Sequence, residues 1–223
     1  MQPTSVFVTG GTGYMGRALI ELLLTRGHAV HALARPGSEQ KLPNGAVAVS
    51  GDALDRTTFA SAIPPGATVV HLVGTPHPSP AKAAEFERVD LVSIRAATSA
   101  ATSAHAAHFV YVSVAHPAPV MHAYIAVREQ GEALVGATGI PATILRPWYV
   151  LGPGHYWPFL LIPFYALGRL FPATRDQATR LGLVTLQQMA TALTVAVENP
   201  PSAGVRIVDV PAVQQAQLRG AAP

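Results

Sequence analysis

The chain has 223 residues, of which 49% are hydrophobic and 12% charged, and its formal net charge is +3 at pH 7. This composition is too apolar for a disordered protein and fits a single domain, residues 1–223, with a large buried sheet. The sequence contains no cysteine, which excludes disulfides and thiolate zinc sites and favours a cytoplasmic protein. The basic residues form no dense block, so we expect no nucleic-acid partner.

Short apolar runs alternate with segments of helical periodicity through most of the chain. The first half is predicted to contain a strand at Ser5–Thr9, a helix at Gly13–Arg26, strands at His28–Ala34 and Ala46–Val49, a short helix at Thr57–Ile63 and a buried strand at Thr68–Gly74. The second half is predicted to contain a long helix at Ala81–Ala106, a strand at Phe109–Val114, a helix at Met121–Thr138, a strand from Ala142, a helix at Leu186–Glu198 and a strand at Val205–Val210. This alternation predicts an α/β fold with a doubly wound parallel sheet, of the Rossmann type.

The pattern breaks after Pro147, and residues 148–185 and 211–223 are predicted to form most of a small C-terminal lobe. The apolar segment Trp157–Phe171 is shorter than the roughly 20 residues of a membrane-spanning helix, and two prolines and an arginine interrupt it. It fits a helix or lid over a pocket, and an interfacial membrane contact, a core helix and a partner-docking helix are the alternatives. With few cationic residues to hold a sugar nucleotide, this lobe favours a hydrophobic substrate such as a quinone-like or lipid-like carbonyl compound.

A glycine-rich corner, "VFVTGGTGYMGRA", joins the first predicted strand to the first helix. In a G-x-x-G-x-x-G corner, Gly10 permits the tight turn, Gly13 lets a pyrophosphate approach the backbone, and Gly16 lets helix and strand pack closely. The amides at the helix N-terminus then bind the phosphates. An ordinary strand-to-helix turn is the alternative, and a P-loop is excluded because no Lys-Ser/Thr pair ends the motif.

The corner "TGGTGYMG" resembles the signature of extended and atypical short-chain dehydrogenase/reductases, which include sugar-nucleotide epimerases and the NmrA-like and complex I-associated NAD(P)H-binding proteins. Four further motifs extend the resemblance in the same order: "GDALD" at Gly51–Asp55, "VVHLVG" at Val69–Gly74, "VYVSV" at Val110–Val114 and "ILRPWYVLGPG" at Ile144–Gly154. The resemblance implies a Rossmann fold that binds NAD(P). It also implies a cofactor site that includes Thr12, Tyr14, Met15, Asp52, Ala53, Val73, Gly74, Thr75 and Pro147.

The end of the second predicted strand distinguishes NAD from NADP. An acidic residue there accepts hydrogen bonds from the ribose 2′-hydroxyl, whereas a basic residue pairs with a 2′-phosphate. This chain has Arg35, and its next carboxylate is Glu39. We therefore expect NADP, with NAD as the alternative and with a solvated surface role for Arg35 as the simpler explanation. Asp52, expected to reach the adenine, could instead cap the helix that starts near Arg56.

Active members of the superfamily use a serine after the fifth strand, then a tyrosine and a lysine four residues apart on the next helix. Ser113 and Tyr124 match this pattern, but Arg128 stands where the lysine is expected. A guanidinium is broader and more rigid than an ammonium, and Glu132, one turn away, could hold it in an i,i+4 pair. The sequence therefore leaves open whether Ser113, Tyr124 and Arg128 form a working catalytic set.

Two function classes follow. The first is an NADP-dependent oxidoreductase acting on a hydrophobic carbonyl or quinone-like substrate. The second is a non-catalytic NAD(P)H-binding sensor or assembly protein, whose apolar lobe would contact a partner or a second copy of the chain; a sugar-nucleotide epimerase is less favoured. We expect no metal site, because no carboxylate completes a ligand set around His105 and His108. His116 and His122 flank the expected site and could line a substrate pocket.

Overall fold

The computed structural model describes residues 3–152 and 180–218. Its strands are β1 (Ser5–Thr9), β2 (Ala29–Ala34), β3 (Val47–Ser50), β4 (Thr68–His71), β5 (His108–Val112), β6 (Ala142–Leu145), β7 (Tyr149–Leu151), β8 (Leu183–Thr185) and β9 (Val205–Val208). Its α-helices are α1 (Tyr14–Thr25), α2 (Ala83–Glu85), α3 (Val92–Ser103), α4 (His122–Ala137), α5 (Leu186–Glu198) and α6 (Val210–Gln215). A π-helical turn at Phe86–Leu91 joins α2 to α3.

Seven of these strands form one parallel sheet in the order β3-β2-β1-β4-β5-β6-β9. Val6 of β1 pairs with Val30 of β2 on one side and with Thr68 of β4 on the other. The chain therefore winds outward from β1 to β3 and then crosses back to begin β4 beside β1. This reversal of strand order creates a crevice at the carboxyl ends of β1 and β4, which is where open α/β sheets bind ligands. The predicted doubly wound Rossmann fold is confirmed.

Helices cover both faces of the sheet. On one face, α1 contributes Leu19 and Leu23, and α5 contributes Met189 and Leu193, to a core cluster with the side chains of β1 and β5. On the other face, α3 and α4 pack against alternate residues of the same strands. Every residue of β4 and β5 is buried, so neither strand shows the alternation of apolar and polar residues that a strand with one solvent-exposed face has.

Three predicted elements differ in detail from the structure. The expected helix at Thr57–Ile63 is two short 3₁₀ turns, Arg56–Thr58 and Ala60–Ala62. Strand β4 ends at His71 rather than Gly74, because the chain then bends so that the backbone N–H of Thr75 donates to Asp90. The expected long helix at Ala81–Ala106 is interrupted by the π-helical turn that carries Asp90.

The C-terminal part of the described chain contains a second, two-stranded parallel sheet of β7 and β8, which the sequence did not predict. After β8, Thr185 and Gln188 form a capping box that starts α5. After β9, Asp209 accepts a hydrogen bond from the Ala212 backbone at 3.0 Å and starts α6. The segment Trp157–Phe171 and residues 219–223, parts of the predicted lobe, lie outside the described residues. None of the described helices combines the length and hydrophobicity needed to cross a membrane.

Candidate functional site

The glycine-rich corner lies at the carboxyl end of β1, directly against the segment that follows β4. Gly10 has φ +78°, and a Cβ there would lie 2.9 Å from the Leu72 carbonyl carbon. A Cβ on Gly16 would lie 2.3 Å from the Gly10 carbonyl oxygen. Both positions therefore require glycine, one for its backbone conformation and both for close packing of backbone on backbone.

Gly13 differs from these two glycines because it is exposed and its φ of −71° is one that any residue can adopt. The nearest atom to a Cβ at Gly13 is the Gly10 carbonyl oxygen at 3.3 Å. Gly13 is also the N-cap residue of α1, and the first turn of α1 contains no acidic residue. An open backbone at a helix N-terminus without local negative charge fits the pyrophosphate of a dinucleotide. The residues of the corner thus fit the cofactor that the sequence motif predicts.

The carboxyl ends of β2 and β3 carry the residues expected near the adenosine. Arg35 is exposed immediately after β2, and Asp52 is exposed two residues after β3. The Asp52 carboxylate accepts a hydrogen bond from the Leu54 backbone at 2.9 Å. The suggestion that Asp52 caps the turn beginning at Arg56 is wrong, because Asp55 does so through the Thr57 N–H at 2.9 Å.

The other residues expected at the cofactor follow β1, β3, β4 and β6 in the chain. Thr12 and Met15 belong to the corner and the start of α1, Ala53 follows β3, Val73 follows β4, and Pro147 follows β6. The Pro147 carbonyl accepts a hydrogen bond from the Ala115 N–H at 2.9 Å, which ties the ends of β5 and β6 together. All of these positions follow strands of one parallel sheet and therefore share its carboxyl edge.

Arg128 of α4 is buried, with only 7% of its side chain exposed, and it pairs with the Asp90 carboxylate, which is 0% exposed. Arg128 Nη2 donates to Asp90 Oδ1 at 2.6 Å, and Nη1 donates to the Val112 carbonyl at 3.0 Å. Burial opposes the charge of the guanidinium, but Tyr124, Tyr111 and Asp90 raise the pKa of Arg128 above its usual value. Arg128 is therefore a buried cation held by the protein itself.

Arg128 and Glu132 do not form the i,i+4 pair that their spacing allows. Glu132 instead accepts hydrogen bonds from Arg146, with Nε at 2.9 Å from Oε1, and it also contacts His116 Nε2 at 3.4 Å. Burial by itself would raise the pKa of Glu132. The interactions with Arg146, Ser113 and His116 together outweigh burial, so the pKa is lowered. Glu132 therefore binds residues of the loop after β5 and of the end of β6.

Tyr124 lies on α4 beside the Arg128 guanidinium. The Arg128 guanidinium carbon is 5.0 Å from the centroid of the Tyr124 ring, and Phe86 packs against that ring with 4.9 Å between centroids. Burial raises the pKa of Tyr14, and nearby Tyr124 raises it further. The structure therefore places a fixed positive charge beside the Tyr124 ring.

Ser113 follows β5 and is buried. Its hydroxyl makes no hydrogen bond of good geometry with the described residues, although it lies near enough to Glu132 to help lower the pKa of that carboxyl. Of the four histidines that the sequence singled out, His108 bonds Thr143 across the sheet at 3.0 Å, while His116 faces Glu132 and Glu129. The 3–152 and 180–218 ranges hold no cluster of three or more His, Cys, Asp or Glu residues placed to bind a metal ion.

Sequence reasoning missed the polar residues that surround Arg128 from the sheet and from the π-helical turn. Asp90 is the main one, and its position on the buried stripe between Phe86 and Ile94 was an available signal, because a carboxylate there needs a partner. Behind it, His71 Nδ1 bonds Thr9 Oγ1 at 2.8 Å. Burial lowers the pKa of His71 to about 3, and the positive charge of Arg128 adds to this effect.

A family model described as NAD(P)H-binding matches residues 10–153, which is well over half of the chain. The chain belongs to the NAD(P)H-binding family. This membership agrees with the NAD(P)-binding fold implied by the resemblance to extended and atypical short-chain dehydrogenase/reductases. The glycines of the corner, β4 and its following bend, and the helix that carries Tyr124 and Arg128 all lie inside the matched region.

Three curated reductases are similar to this NAD(P)H-binding chain. A ceramide reductase of Caulobacter vibrioides is 29% identical over 92% of the chain and 64% of its own length. A divinyl chlorophyllide a 8-vinyl-reductase of Oryza sativa subsp. indica is 36% identical over 65% of the chain and 39% of its own length. A ketoreductase of Stigmatella aurantiaca, named for a farnesyl-bearing dihydroquinoline oxide, is 29% identical over 66% of the chain and 50% of its own length. The chain thus spans less than two thirds of each relative.

Among solved structures, the enzyme WbmH of Bordetella bronchiseptica in complex with NAD⁺ matches with a TM-score of 0.68. The identity is 21%, and the match covers 92% of this chain and 75% of the other. At this identity the likeness concerns the fold, and it agrees with the doubly wound sheet described above.

Proposed function

We propose that this protein is an NADP-dependent oxidoreductase that reduces a hydrophobic carbonyl or quinone-like compound. The observation that carries the proposal is the position of Tyr124, whose ring centroid lies 5.0 Å from the guanidinium carbon of the buried Arg128. A phenol beside a fixed positive charge is suited to transfer a proton in a polar reaction. NADPH, when bound along the corner, would supply the hydride for such a reduction.

Each member of the proposed catalytic set has one task. Tyr124 would donate its phenolic proton to the substrate oxygen as that oxygen gains negative charge. The buried Ser113 hydroxyl, which makes no hydrogen bond of good geometry with the described residues, would orient the same oxygen. Arg128 would act through Tyr124, because its guanidinium is already bonded to Asp90 and to the Val112 carbonyl.

Two features support the choice of NADP. Arg35 is exposed directly after β2, where a cation can pair with a 2′-phosphate. The next carboxylate, Glu39, accepts a hydrogen bond from Ser50 Oγ at 2.9 Å, so it already has a partner other than a ribose hydroxyl. NAD is the alternative cofactor.

A hydrophobic substrate is supported by the names of two relatives, a ceramide reductase and a ketoreductase whose named compound carries a farnesyl chain. The third relative is named as a vinyl reductase, so an activated carbon–carbon double bond belongs in the substrate tests. The absence of cysteine from the sequence supports a cytoplasmic location as part of this proposal.

One observation favours a second function, that of a non-catalytic NAD(P)H-binding sensor or assembly protein. The resemblance to short-chain dehydrogenase/reductases implies a lysine at the position of Arg128, whereas the Arg128 guanidinium is buried and bonded to protein atoms. A protein that only binds the dinucleotide needs the glycine-rich corner but not a working Tyr124.

The test compares dinucleotide binding with turnover. NADPH and NADH binding are measured by fluorescence, and NADPH consumption is followed with quinones, aldehydes, ketones and enones. The oxidoreductase proposal expects wild-type consumption that falls by about 100-fold in Tyr124→Phe while NADPH binding is kept. Gln130→Ala, on the exposed face of the same helix, is the control variant and should consume NADPH normally. Binding without consumption would instead support the sensor function, and consumption unaffected by Tyr124→Phe would reject Tyr124 as the proton donor.

A further inference from the structure

Asp90 and Arg128 form a buried ion pair beside Tyr124. Asp90 is 0% exposed and Arg128 is 7% exposed in their side chains, with 2.6 Å between Oδ1 and Nη2. Burying two charges is unfavourable unless their mutual attraction and further hydrogen bonds offset the loss of water, and Arg128 Nε makes no hydrogen bond within the described residues. The surroundings of both side chains therefore indicate what the pair is built to hold.

The second oxygen of Asp90 binds the segment that follows β4. Asp90 Oδ2 accepts the Thr75 backbone N–H at 2.9 Å and the Thr75 hydroxyl at 2.6 Å. One carboxylate thus joins the bend after β4, which is part of the predicted cofactor site, to the helix that carries Tyr124. Because both connections pass through Asp90, movement of either segment is coupled to the position of Arg128.

Gly74 shows that the space around the guanidinium is closed. A Cβ at Gly74 would lie 2.3 Å from Arg128 Nη2 and 3.1 Å from Asp90 Oδ1. On its other side, Arg128 Nη1 donates to the Val112 carbonyl at 3.0 Å. The guanidinium is therefore fixed in a slot formed by the bend after β4, the end of β5 and the π-helical turn.

We infer that Asp90 is a positioning residue for the proposed reaction: it fixes the Arg128 guanidinium beside the Tyr124 ring and offsets part of its charge, and so sets how strongly Arg128 favours the Tyr124 phenolate. The inference rests on the proposed role of Tyr124 as proton donor. It assigns to Asp90 an electrostatic effect whose sign is opposite to that of Arg128. Substitution of a residue that only supported the fold would not move the Tyr124 titration in a direction opposite to that of Arg128 substitution.

The groups that contact the Tyr124 ring or interact with it electrostatically come from four elements. The glycine-rich corner contributes Tyr14, β5 contributes Tyr111, and α4 itself contributes Arg128. The π-helical turn contributes the apolar ring of Phe86 and, behind Arg128, the carboxylate of Asp90. Arg128 and Asp90 are the charged members of this set, so substitutions at these two positions change the charge around the phenol.

The test measures Tyr124 ionisation directly, as the part of the tyrosinate absorbance in a pH titration that disappears in Tyr124→Phe. Asp90→Asn removes the negative charge and should move the titration midpoint to lower pH by about one unit. Arg128→Met removes the positive charge and should move the midpoint to higher pH by a similar amount. The double variant, which buries neither charge, should titrate close to Arg128→Met.

Asp55→Asn is the matched control, because Asp55 is an exposed aspartate that caps a short turn away from Tyr124. Circular dichroism of each variant checks that it is folded. If Asp90→Asn does not fold, Asp90→Ser, which likewise removes the negative charge beside Arg128, takes its place, and its midpoint must also fall below that of the wild type.

Shifts of the two single variants in the same direction, or a double variant that titrates like the wild type, would overturn the inference. These outcomes are separable from failure of the proposed function, since the titration needs neither substrate nor cofactor. A wild-type protein that does not consume NADPH would reject the oxidoreductase proposal and leave the titration results to decide the role of Asp90.

Discussion

Arg128 donates a 2.6 Å hydrogen bond to Asp90, a residue 38 positions earlier in the chain. The carboxylate one turn further along the same helix, Glu132, bonds Arg146 instead. The long-range pair therefore fixes α4 against the π-helical turn, and the local pair that helical spacing allows is not formed. This choice of partner has consequences for stability as well as for the proposed reaction.

The first prediction concerns the free energy of unfolding. Asp90→Ala should lower it by about 3–5 kcal/mol, because the substitution leaves Arg128 buried without its counter-charge. Replacing both partners, as Asp90→Asn with Arg128→Met, should cost clearly less than the Asp90→Ala change, since no charge is then left unpaired. Urea unfolding followed by circular dichroism measures both. Equal costs for the single and double variants would show that the pair is not the source of the loss.

The fold could be predicted from the sequence because its signals are local. The strands from Ser5 and Ala142, for example, are apolar runs buried on both faces, and a run of that kind needs no knowledge of its neighbours. By contrast, β7 and β8 are three residues each and pair across a long separation in sequence, so neither carries a pattern of its own. The second sheet could therefore not be predicted.

The candidate site was predictable in part for the same reason. The glycines of the corner and the spacing of Tyr124 and Arg128 are fixed by short motifs. The partner of Arg128 is not, because i,i+4 spacing makes Glu132 the nearest candidate in sequence, while burial and the bend after β4 decide for Asp90. Only the three-dimensional packing of the π-helical turn against α4 distinguishes the two carboxylates.

The second prediction separates structural from functional glycines. Gly16→Ala should destabilise the protein by about 2 kcal/mol or more, because its Cβ would lie 2.3 Å from the Gly10 carbonyl oxygen. Gly13→Ala should cost clearly less stability, because its φ of −71° suits alanine and the Gly10 carbonyl oxygen, 3.3 Å from the new Cβ, has to move by only a few tenths of an ångström. It should weaken NADPH binding by about 10-fold, because the added methyl group occupies the exposed backbone face. Thermal unfolding and fluorescence binding are measured on both variants.

Gly136 provides the control for this series. It lies in α4, is exposed, and a Cβ there would meet no atom within 4 Å. Gly136→Ala should therefore raise stability by about 0.5–1 kcal/mol, as alanine does in an exposed helix, and leave NADPH binding unchanged. If Gly13→Ala binds NADPH as tightly as Gly136→Ala, the corner does not hold the pyrophosphate as proposed.

The third prediction concerns the choice of nucleotide. Arg35→Ala should weaken NADPH binding by about 10-fold and leave NADH binding unchanged, because only NADPH carries the 2′-phosphate that an exposed guanidinium can pair with. Arg95→Ala, an exposed arginine on α3, is the matched control and should change neither affinity. Titrations by nucleotide fluorescence at constant ionic strength measure all four combinations. Equal weakening of both nucleotides would argue against Arg35 as the NADP determinant.

The last prediction is that stability falls on mild acidification because of two buried histidines. Burial lowers the pKa of His71 to about 3 and that of His108 to about 4, with Arg128 and Arg206 respectively adding to the effect. In the unfolded chain a histidine has a pKa near 6.5, so below that pH the unfolded chain binds protons that the folded protein does not. Acidification therefore favours the unfolded chain, and the stability is lost progressively as the pH falls from about 6.5 toward the pKa values of the two histidines in the folded protein. Each histidine should reduce the free energy of unfolding by about 2 kcal/mol between pH 7 and pH 5. His71→Gln and His108→Gln should each remove that share of the decrease in urea unfolding, whatever they do to stability at pH 7, whereas His122→Gln, at an exposed position on α4, should keep it. A pH dependence that is unchanged in both buried-site variants would mean that other groups produce the acid sensitivity.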